Sequence, residues 1–265
     1  MAARLGDRLA RSWVAVHSLI VLLFLFLPVF VVVAFSFNDN QGRFNFTWQG
    51  FSLKSWANAC GAPGLCESLL VSLRVALVAT VIATALGTLI AFALVRHRFR
   101  GRTPTNLLIF LPMATPEIVM GSSLLALFLN LGAGRGFTTI IIGHVMFNVS
   151  YVVVTVKARL QGQNAKLEEA AMDLYSDEWT TFRKITLPLS LPGIVSGALL
   201  AFALSFDDFI ITNFVSGDEI TFPMFVWGAA QRGVPPQVNV IATAMFAVAM
   251  VAMLLGLEVQ RRRAQ

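Results

Sequence analysis

The chain has 265 residues, of which 57% are hydrophobic and 13% charged, and its formal net charge is +6. This composition, with a mean hydropathy of +0.74, excludes an ordinary soluble domain. The basic residues fall in loops between apolar stretches, which indicates membrane topology and contact with anionic lipid rather than nucleic-acid binding. We therefore predict an all-α integral membrane protein.

Six apolar stretches are long enough to cross a bilayer as helices, which takes roughly 20 residues each. They cover residues 13–35, 69–95, 107–131, 137–156, 192–215 and 238–257. We expect one membrane domain over residues 1–265, because no disordered linker or repeat divides it. The first stretch is longer than the roughly 7 to 15 apolar residues of a signal peptide, so we expect an uncleaved span.

Basic residues are distributed unequally between alternate loops. One side has only Arg43, Lys54, Arg135 and Arg232, whereas the other side carries clusters before the first stretch, between 96 and 102, within 157–191 and after the last stretch. The positive-inside rule then predicts that both termini and the loop 157–191 are cytoplasmic.

The predicted first external loop, residues 36–68, contains both cysteines, Cys60 and Cys66. An oxidising compartment would permit a disulfide between them, and two free thiols are the alternative. The loop is also rich in aromatic residues, which favours contact either with the outer membrane surface or with a soluble partner.

Three carboxylates lie within the apolar stretches, Glu117 in the third and Asp207 and Asp208 in the fifth. A charge at the centre of a span costs about 2.5 to 3.5 kcal/mol, so these residues are candidates for a substrate pathway. The alternative is pairing with polar groups of the same or another subunit. Neighbours on a helix point about 100° apart, so we expect one aspartate to face the pathway and the other to be paired.

Other polar or helix-breaking residues lie in the third and fourth stretches. Pro112 and Pro116 predict a bent third span. His144 and Asn148 share one helical face, where we expect interhelical hydrogen bonds.

The loop 157–191 predicts a pair of short helices. Asn164 is a candidate N-cap of the first, whose apolar stripe consists of Leu167, Ala170, Ala171 and Leu174. Ser176 is a candidate cap of the second, and Pro188 and Pro192 are expected to break the helix before the fifth span.

The spacing within this loop resembles the EAA loop of bacterial ABC importer permeases. Glu169, Ala170 and Ala171 are followed in register by Ile185, Leu187 and Pro188, but Tyr175 replaces the usual glycine. The resemblance implies a type I ABC importer permease fold, with six transmembrane helices and a cytoplasmic coupling-helix loop that docks on an ATPase. The coupling residues it implies are Glu169, Ala170, Ala171, Leu174, Tyr175, Ile185, Leu187 and Pro188.

Tyr175 is the one departure from that pattern. Glycine tolerates positive φ, so tyrosine must either accept strain or turn differently. Our hypothesis is that its ring fills a pocket of the ATPase.

Residues 115–121, 205–217, 221–224 and 233–239 are similar to the second permease of spermidine/putrescine importers. This resemblance implies a multi-pass protein of the bacterial inner membrane that moves polyamine inward by alternating access. The implied partners are a homologous second permease, two ATPase subunits and an external substrate-binding protein.

We expect no enzymatic activity, metal site or cofactor in this subunit itself. The sequence contains neither a Gly-x-x-x-x-Gly-Lys-Ser/Thr phosphate loop nor metal-ligand spacing, so ATP and Mg would bind to the ATPase. The alternatives are a permease for another small solute, and a carrier or channel that is not coupled to ATP.

Overall fold

This computed structural model describes the backbone of residues 2–164 and 166–263, and the side chains of 13–164, 166–256, 258 and 261. The regular secondary structure of the described residues is helical, apart from one antiparallel bridge between Asn38 and Phe51. The helices are α1 (Ala2–Phe35), α2 (Lys54–Ala57), α3 (Leu65–Arg96), α4 (Arg102–Ala114), α5 (Glu117–Asn130), α6 (Phe137–Gln161), α7 (Lys166–Asp173), α8 (Glu178–Thr181), α9 (Leu187–Asp207), α10 (Ile210–Val215), α11 (Phe222–Arg232) and α12 (Pro236–Arg263). A π-helical segment, Phe182–Thr186, joins α8 to α9.

Five helical stretches in the described residues are long and apolar enough to cross a membrane, namely Trp13–Phe35, Leu65–Arg96, Phe137–Gln161, Glu178–Asp207 and Pro236–Gly256. Hydrocarbon offers no hydrogen bonds to the backbone, and helices satisfy their own donors and acceptors, which is why apolar runs of this length become helical. The pair α4 and α5 makes a sixth only if both helices count as one span.

The predicted third span is two helices rather than one. Helix α5 is bent by 105° relative to α4, at a break between Ala114 and Glu117. Thr115 is extended, with ψ 131°, because the ring of Pro116 disfavours helical geometry in the residue before it. The predicted bend is therefore confirmed, and it divides the apolar stretch 107–131 between α4 and α5.

The predicted helix break at Pro188 and Pro192 is also wrong. The helical stretch runs without interruption over Glu178–Asp207, roughly 45 Å at 1.5 Å per residue. The π segment supplies the reason: the backbone N–H of Leu187 bonds to the carbonyl of Phe182, five residues back. The wider turn accommodates the missing donor and the ring of Pro188 at the start of α9. The loop 157–191 is accordingly shorter than predicted, because its two ends belong to α6 and α9.

The predicted fifth span differs at its far end as well. Helix α9 ends at Asp207, and Asp208 is extended with ψ 120°, so α10 is a separate short helix. The prediction of one continuous helix over 192–215 is wrong, and the two aspartates lie at the break.

The chain divides into two compact units, one of residues 1–66 with 226–265 (the terminal unit) and one of residues 67–225 (the central unit). In the central unit, α6 and α9 pack along a stripe of small buried residues on α9: Ser190, Gly193, Gly197, Ala201 and Ser205. Small side chains let two backbones approach closely, which is how helices associate in lipid. At Gly193 a Cβ atom would lie 2.5 Å from Cβ of Arg159 on α6.

A second contact in the central unit joins α5 to α10. Met120, Leu124 and Phe128 of α5 are buried in one cluster with Ile211 and Val215 of α10. At Gly121 a Cβ atom would lie 2.6 Å from the ring of Phe214, so this glycine permits the close approach of the two helices.

The terminal unit contains an ordered loop after α1. Asn38 donates to Asn45 at 2.7 Å, and Asn45 donates to the carbonyl of Phe35 at 2.9 Å. Cys60 and Cys66 form a disulfide with a Cα–Cα distance of 5.4 Å, which is one of the two alternatives that the sequence left open. Neither α2 nor α11 was anticipated from the sequence.

Candidate functional site

The turn between α7 and α8 has the hydrogen bonds of a Schellman motif. The N–H of Ser176 bonds to the carbonyl of Ala171 at 3.1 Å, and the N–H of Tyr175 bonds to the carbonyl of Met172 at 3.0 Å. This motif requires a left-handed residue at the position of Tyr175, where glycine is usual. Tyr175 adopts it with φ 61°, the single positive φ of a non-glycine residue in the described chain. Of the two predicted alternatives, Tyr175 therefore accepts the strain.

The hairpin that α7 and α8 form, residues 166–181, presents an apolar surface that the rest of its unit does not cover. Of the predicted stripe, Ala171 is buried, but Leu167 is half exposed and Leu174 is 82% exposed. The Tyr175 side chain is fully exposed, and Trp179 is exposed while its ring stacks on Phe182. We define the exposed side chains of Leu167, Met172, Leu174, Tyr175 and Trp179 as the hairpin face.

The two helices of the hairpin are capped by different residues. Oδ1 of Asn164 accepts from the N–H of Lys166 at 3.1 Å, as predicted for an N-cap. Helix α8 is capped by Asp177, which accepts from the N–H of Thr180 at 3.2 Å, so the prediction of Ser176 is wrong by one residue. Hydrogen bonding from Thr180 lowers the pKa of the Asp177 carboxyl.

The other predicted coupling residues divide between the surface and the interior. Glu169 and Ala170 are exposed, as is Pro188 at the start of α9. Ile185 and Leu187 are partly buried where the hairpin joins the central unit.

Of the two neighbouring glutamates 168 and 169, it is Glu168 that forms hydrogen bonds within the chain, although the sequence did not single it out. Oε1 of Glu168 accepts a hydrogen bond from the guanidinium of Arg96, at the end of α3, and another from the hydroxyl of Thr186 at 2.7 Å. The sequence places Arg96 only in a basic cluster, and no spacing rule connects it with residue 168.

The three intramembrane carboxylates lie together at two helix breaks. Glu117 is the first residue of α5, Asp207 is the last of α9, and Asp208 lies between α9 and α10. The two breaks lie in one region, because α5 packs against α10, which begins two residues after Asp208. The side chains of Glu117 and Asp207 are exposed, whereas Asp208 has only 6% of its side chain exposed.

Asp208 is held by a buried polar network. Its Oδ2 accepts from the N–H of Thr212 at 2.8 Å and from the Thr212 hydroxyl at 2.7 Å. Nε2 of His144 lies 3.2 Å from the same oxygen, and Nδ1 of His144 lies 2.7 Å from the Ser205 hydroxyl. The expected interhelical bonds of His144 are thus confirmed, and one aspartate of the pair is paired as predicted.

Asn148 does not behave like His144. It is fully buried one turn further along α6, but neither its Nδ2 nor its Oδ1 has a hydrogen-bond partner among the described residues. The interhelical hydrogen bonds expected for Asn148 are absent there.

Two interrupted helices with acidic residues at the breaks are the kind of arrangement that membrane transporters use to bind a solute. Glu117 and Asp207 provide two exposed negative charges that can attract a cation. The carboxylate of Asp208 already has hydrogen-bond partners inside the protein. It therefore holds the break between α9 and α10 in place and adds little to the exposed negative charge.

An all-helical chain with several membrane-spanning helices, interrupted helices and a protruding hairpin defines a membrane component of a transporter. Residues 83–262 match the family described as the inner membrane component of binding-protein-dependent transport systems, and the chain belongs to this family. The sequence resemblance to importer permeases is thereby confirmed.

Its relatives include two permease proteins of polyamine transport systems. The chain is 38% identical over 244 residues to the spermidine/putrescine transport system permease protein PotC of Haemophilus influenzae, covering 92% of this chain and 94% of the relative. It is 36% identical over 239 residues to the putrescine transport system permease protein PotI of Escherichia coli, covering 87% and 84%.

Solved structures of ABC transporters share the fold. A chain of a bacterial alginate ABC transporter, in complex with an alginate pentasaccharide-bound periplasmic protein, aligns with a TM-score of 0.69 at 14% identity and covers 98% of both chains. The inward-facing MetNI methionine ABC transporter aligns with a TM-score of 0.60 at 13% identity, covering 76% of this chain and 96% of that one.

Proposed function

We propose that this chain is a permease subunit that moves a polyamine such as spermidine or putrescine inward by alternating access. The observation that carries the proposal is the cluster of Glu117, Asp207 and Asp208 at two helix breaks, in a chain related to permeases named for these substrates. Polyamines are flexible polycations, and a few carboxylates lower the barrier to their passage without trapping them.

We assign different roles to the three carboxylates. Glu117 and Asp207 are exposed and would contact the substrate in turn as the pathway opens to either side. Asp208, together with His144, would hold the break between α9 and α10 in place.

The energy would come from ATPase subunits docked on the hairpin. The exposed hairpin face, with Glu169 and Ala170, supports this role, because an uncovered apolar surface next to charged residues suits a protein partner. ATP and Mg would bind to two ATPase subunits, and a homologous second permease and an external substrate-binding protein would complete the importer. The loops rich in arginine favour a cytoplasmic hairpin and cytoplasmic termini in a bacterial inner membrane with six spans.

Transport into proteoliposomes tests this proposal. The chain is reconstituted with its companion permease, ATPase and binding protein, and uptake of labelled spermidine is measured with and without ATP. We expect uptake that needs hydrolysable ATP and that unlabelled spermidine and putrescine suppress. Uptake that is suppressed only by an unrelated solute would reject the polyamine assignment, and flux without ATP would reject the coupling.

A further inference from the structure

A single carboxylate oxygen joins three segments of the central unit. Oε1 of Glu168 accepts from Arg96 at the end of α3 and from Thr186 in the π segment, while Glu168 itself lies in α7. About a quarter of the Arg96 side chain and a fifth of the Glu168 side chain is exposed, so both charges are largely shielded from water. Ion pairs in such a setting are screened less than those on an open surface.

An aromatic contact between α3 and the π segment lies beside this ion pair. The ring of Phe92, one turn before Arg96 on α3, meets the ring of Phe182 in an edge-on arrangement with centroids 5.4 Å apart. Contacts of this geometry stabilise by more than their buried area alone. The hairpin and the end of α3 are thus connected by a polar and an aromatic contact together.

Helices α9 and α3 differ in how they are connected to the hairpin. The hairpin continues directly into α9 as one helical stretch, so α9 must follow when the hairpin moves. Helix α3 precedes the hairpin by some 70 residues of chain and needs side-chain contacts to follow it. Along the span an open groove lies between the two helices, lined by Thr80, Thr84 and Thr88 of α3 and by Ile194 and Ala198 of α9. Helix α3 packs on α6, where a Cβ atom at Gly87 would lie 2.7 Å from Val152, and its direct connection to the hairpin is made by the contacts of Phe92 and Arg96.

The side chains of Glu168 and Glu169 point in different directions. Residues 168 and 169 are about 100° apart on α7, so Glu168 turns toward Arg96 while Glu169 stays exposed. The exposed one is available to a partner subunit, and the shielded one binds its own chain.

We infer that the Arg96–Glu168–Thr186 cluster makes α3 follow the hairpin during transport, so that Glu168 and Arg96 are positioning residues for coupling ATP hydrolysis to translocation. This inference rests on the proposed docking of an ATPase on the hairpin. When the cluster is broken, the ATPase still docks and hydrolyses ATP, but α3 no longer moves with α9 and fewer turnovers carry substrate.

The number of ATP molecules hydrolysed per spermidine taken up by the complete reconstituted importer tests the inference. Glu168→Gln and Arg96→Gln each remove one charge of the pair, and Arg98→Gln, an exposed arginine two residues away, is the matched control. We expect each single variant to raise the ratio at least about fivefold while the amount of copurified ATPase is retained. The double variant should raise it no further, because both residues act in one interaction. Arg98→Gln should leave it unchanged.

Thr186→Val gives a milder second probe that keeps both charges and the size of the side chain. It should raise the ratio by less than Glu168→Gln does, and it remains informative if the charge variants assemble poorly. A wild-type ratio in Glu168→Gln or Thr186→Val, or additive effects in the double variant, would overturn the inference. Absence of ATP-dependent uptake in the unmodified importer would instead reject the proposed function.

Discussion

Nε2 of His144 lies 3.2 Å from Oδ2 of Asp208, in the interior of the central unit. This contact fastens α6 to the break between α9 and α10, directly after Asp207. The buried histidine and aspartate thereby determine where the exposed aspartate stands.

His144→Leu should destabilise the protein by about 1.5 to 3 kcal/mol, because it removes the contact of His144 with the buried carboxylate of Asp208. The thermal melting midpoint in detergent measures the effect. His97→Leu is the matched control, since His97 is exposed at the end of α3 and its loss should leave the midpoint unchanged. Equal midpoints for His144→Leu and wild type would contradict the structural role of the pair.

Asp207→Asn and Glu117→Gln should lower polyamine uptake and leave the melting midpoint near that of wild type. Removing one charge near a cation weakens their attraction by about 1 kcal/mol or more, so we expect roughly a tenfold loss in apparent affinity for each. Concentration dependence of uptake in proteoliposomes is the measurement. Glu67→Gln, an exposed carboxylate at the start of α3, serves as control; uptake by Asp207→Asn that matches it would remove the substrate role of Asp207.

Tyr175→Gly should relieve roughly 1 kcal/mol of backbone strain and at the same time weaken ATPase binding. The left-handed turn suits glycine better, but the fully exposed ring, which our hypothesis places against the ATPase, is lost. Copurification of ATPase and the melting midpoint of the permease separate the two effects. Tyr175→Phe keeps both the ring and the strain and should bind ATPase nearly as well as wild type. Undiminished binding by Tyr175→Gly would show that the ring does not contact the partner.

Gly193→Ala should destabilise the protein by about 1 to 3 kcal/mol, because the new Cβ would stand 2.5 Å from Cβ of Arg159 and force α6 and α9 apart. Gly256→Ala is the control: a Cβ atom there would have no described neighbour within 4 Å. Both variants are compared by thermal melting in detergent. A loss of stability at residue 256 equal to that at residue 193 would mean that helix packing is not the cause.

Cys60 and Cys66 should be protected from alkylation in the protein purified without reductant. Mass spectrometry of the alkylated chain should find two modified thiols only after reduction. The closed loop is short, so replacing both cysteines by serine should cost about 2 kcal/mol. Two alkylatable thiols in the unreduced protein would contradict the disulfide.

The sequence anticipated the interruptions of the helices only in part. The bend near Pro116 was predictable because proline acts on its immediate neighbour, Thr115. The same reasoning failed at Pro188, because the chain compensates with a π turn whose hydrogen bond starts at Phe182. The break at Asp208 has no such signal in the neighbouring sequence. Its carboxylate is stabilised by the nearby Thr212 and also by His144, which is more than 60 residues away in the chain.

The residues of the candidate site were also anticipated only in part. Motif spacing drew attention to Glu169 and Tyr175, and the intramembrane cost of charge drew attention to Glu117 and Asp207. The role of Glu168 was missed because its partner, Arg96, is 72 residues away and looks like any other basic residue at the end of a span.

The sequence by itself determined that this is a helical membrane protein, because apolar stretches of bilayer length have one way to satisfy their backbones. It also determined which carboxylates and which loop are unusual. The free-energy cost of a charge inside a span and the spacing of a motif can both be read from residues close together in the sequence. Only the tertiary structure decided which of two adjacent residues faces inward, Glu168 rather than Glu169 and Asp208 rather than Asp207. Glu168 and Glu169 differ by about 100° in direction because both lie on a helix, whereas Asp208 lies in the extended backbone after α9. In both pairs the interior that receives the buried residue is formed by helices distant in the chain.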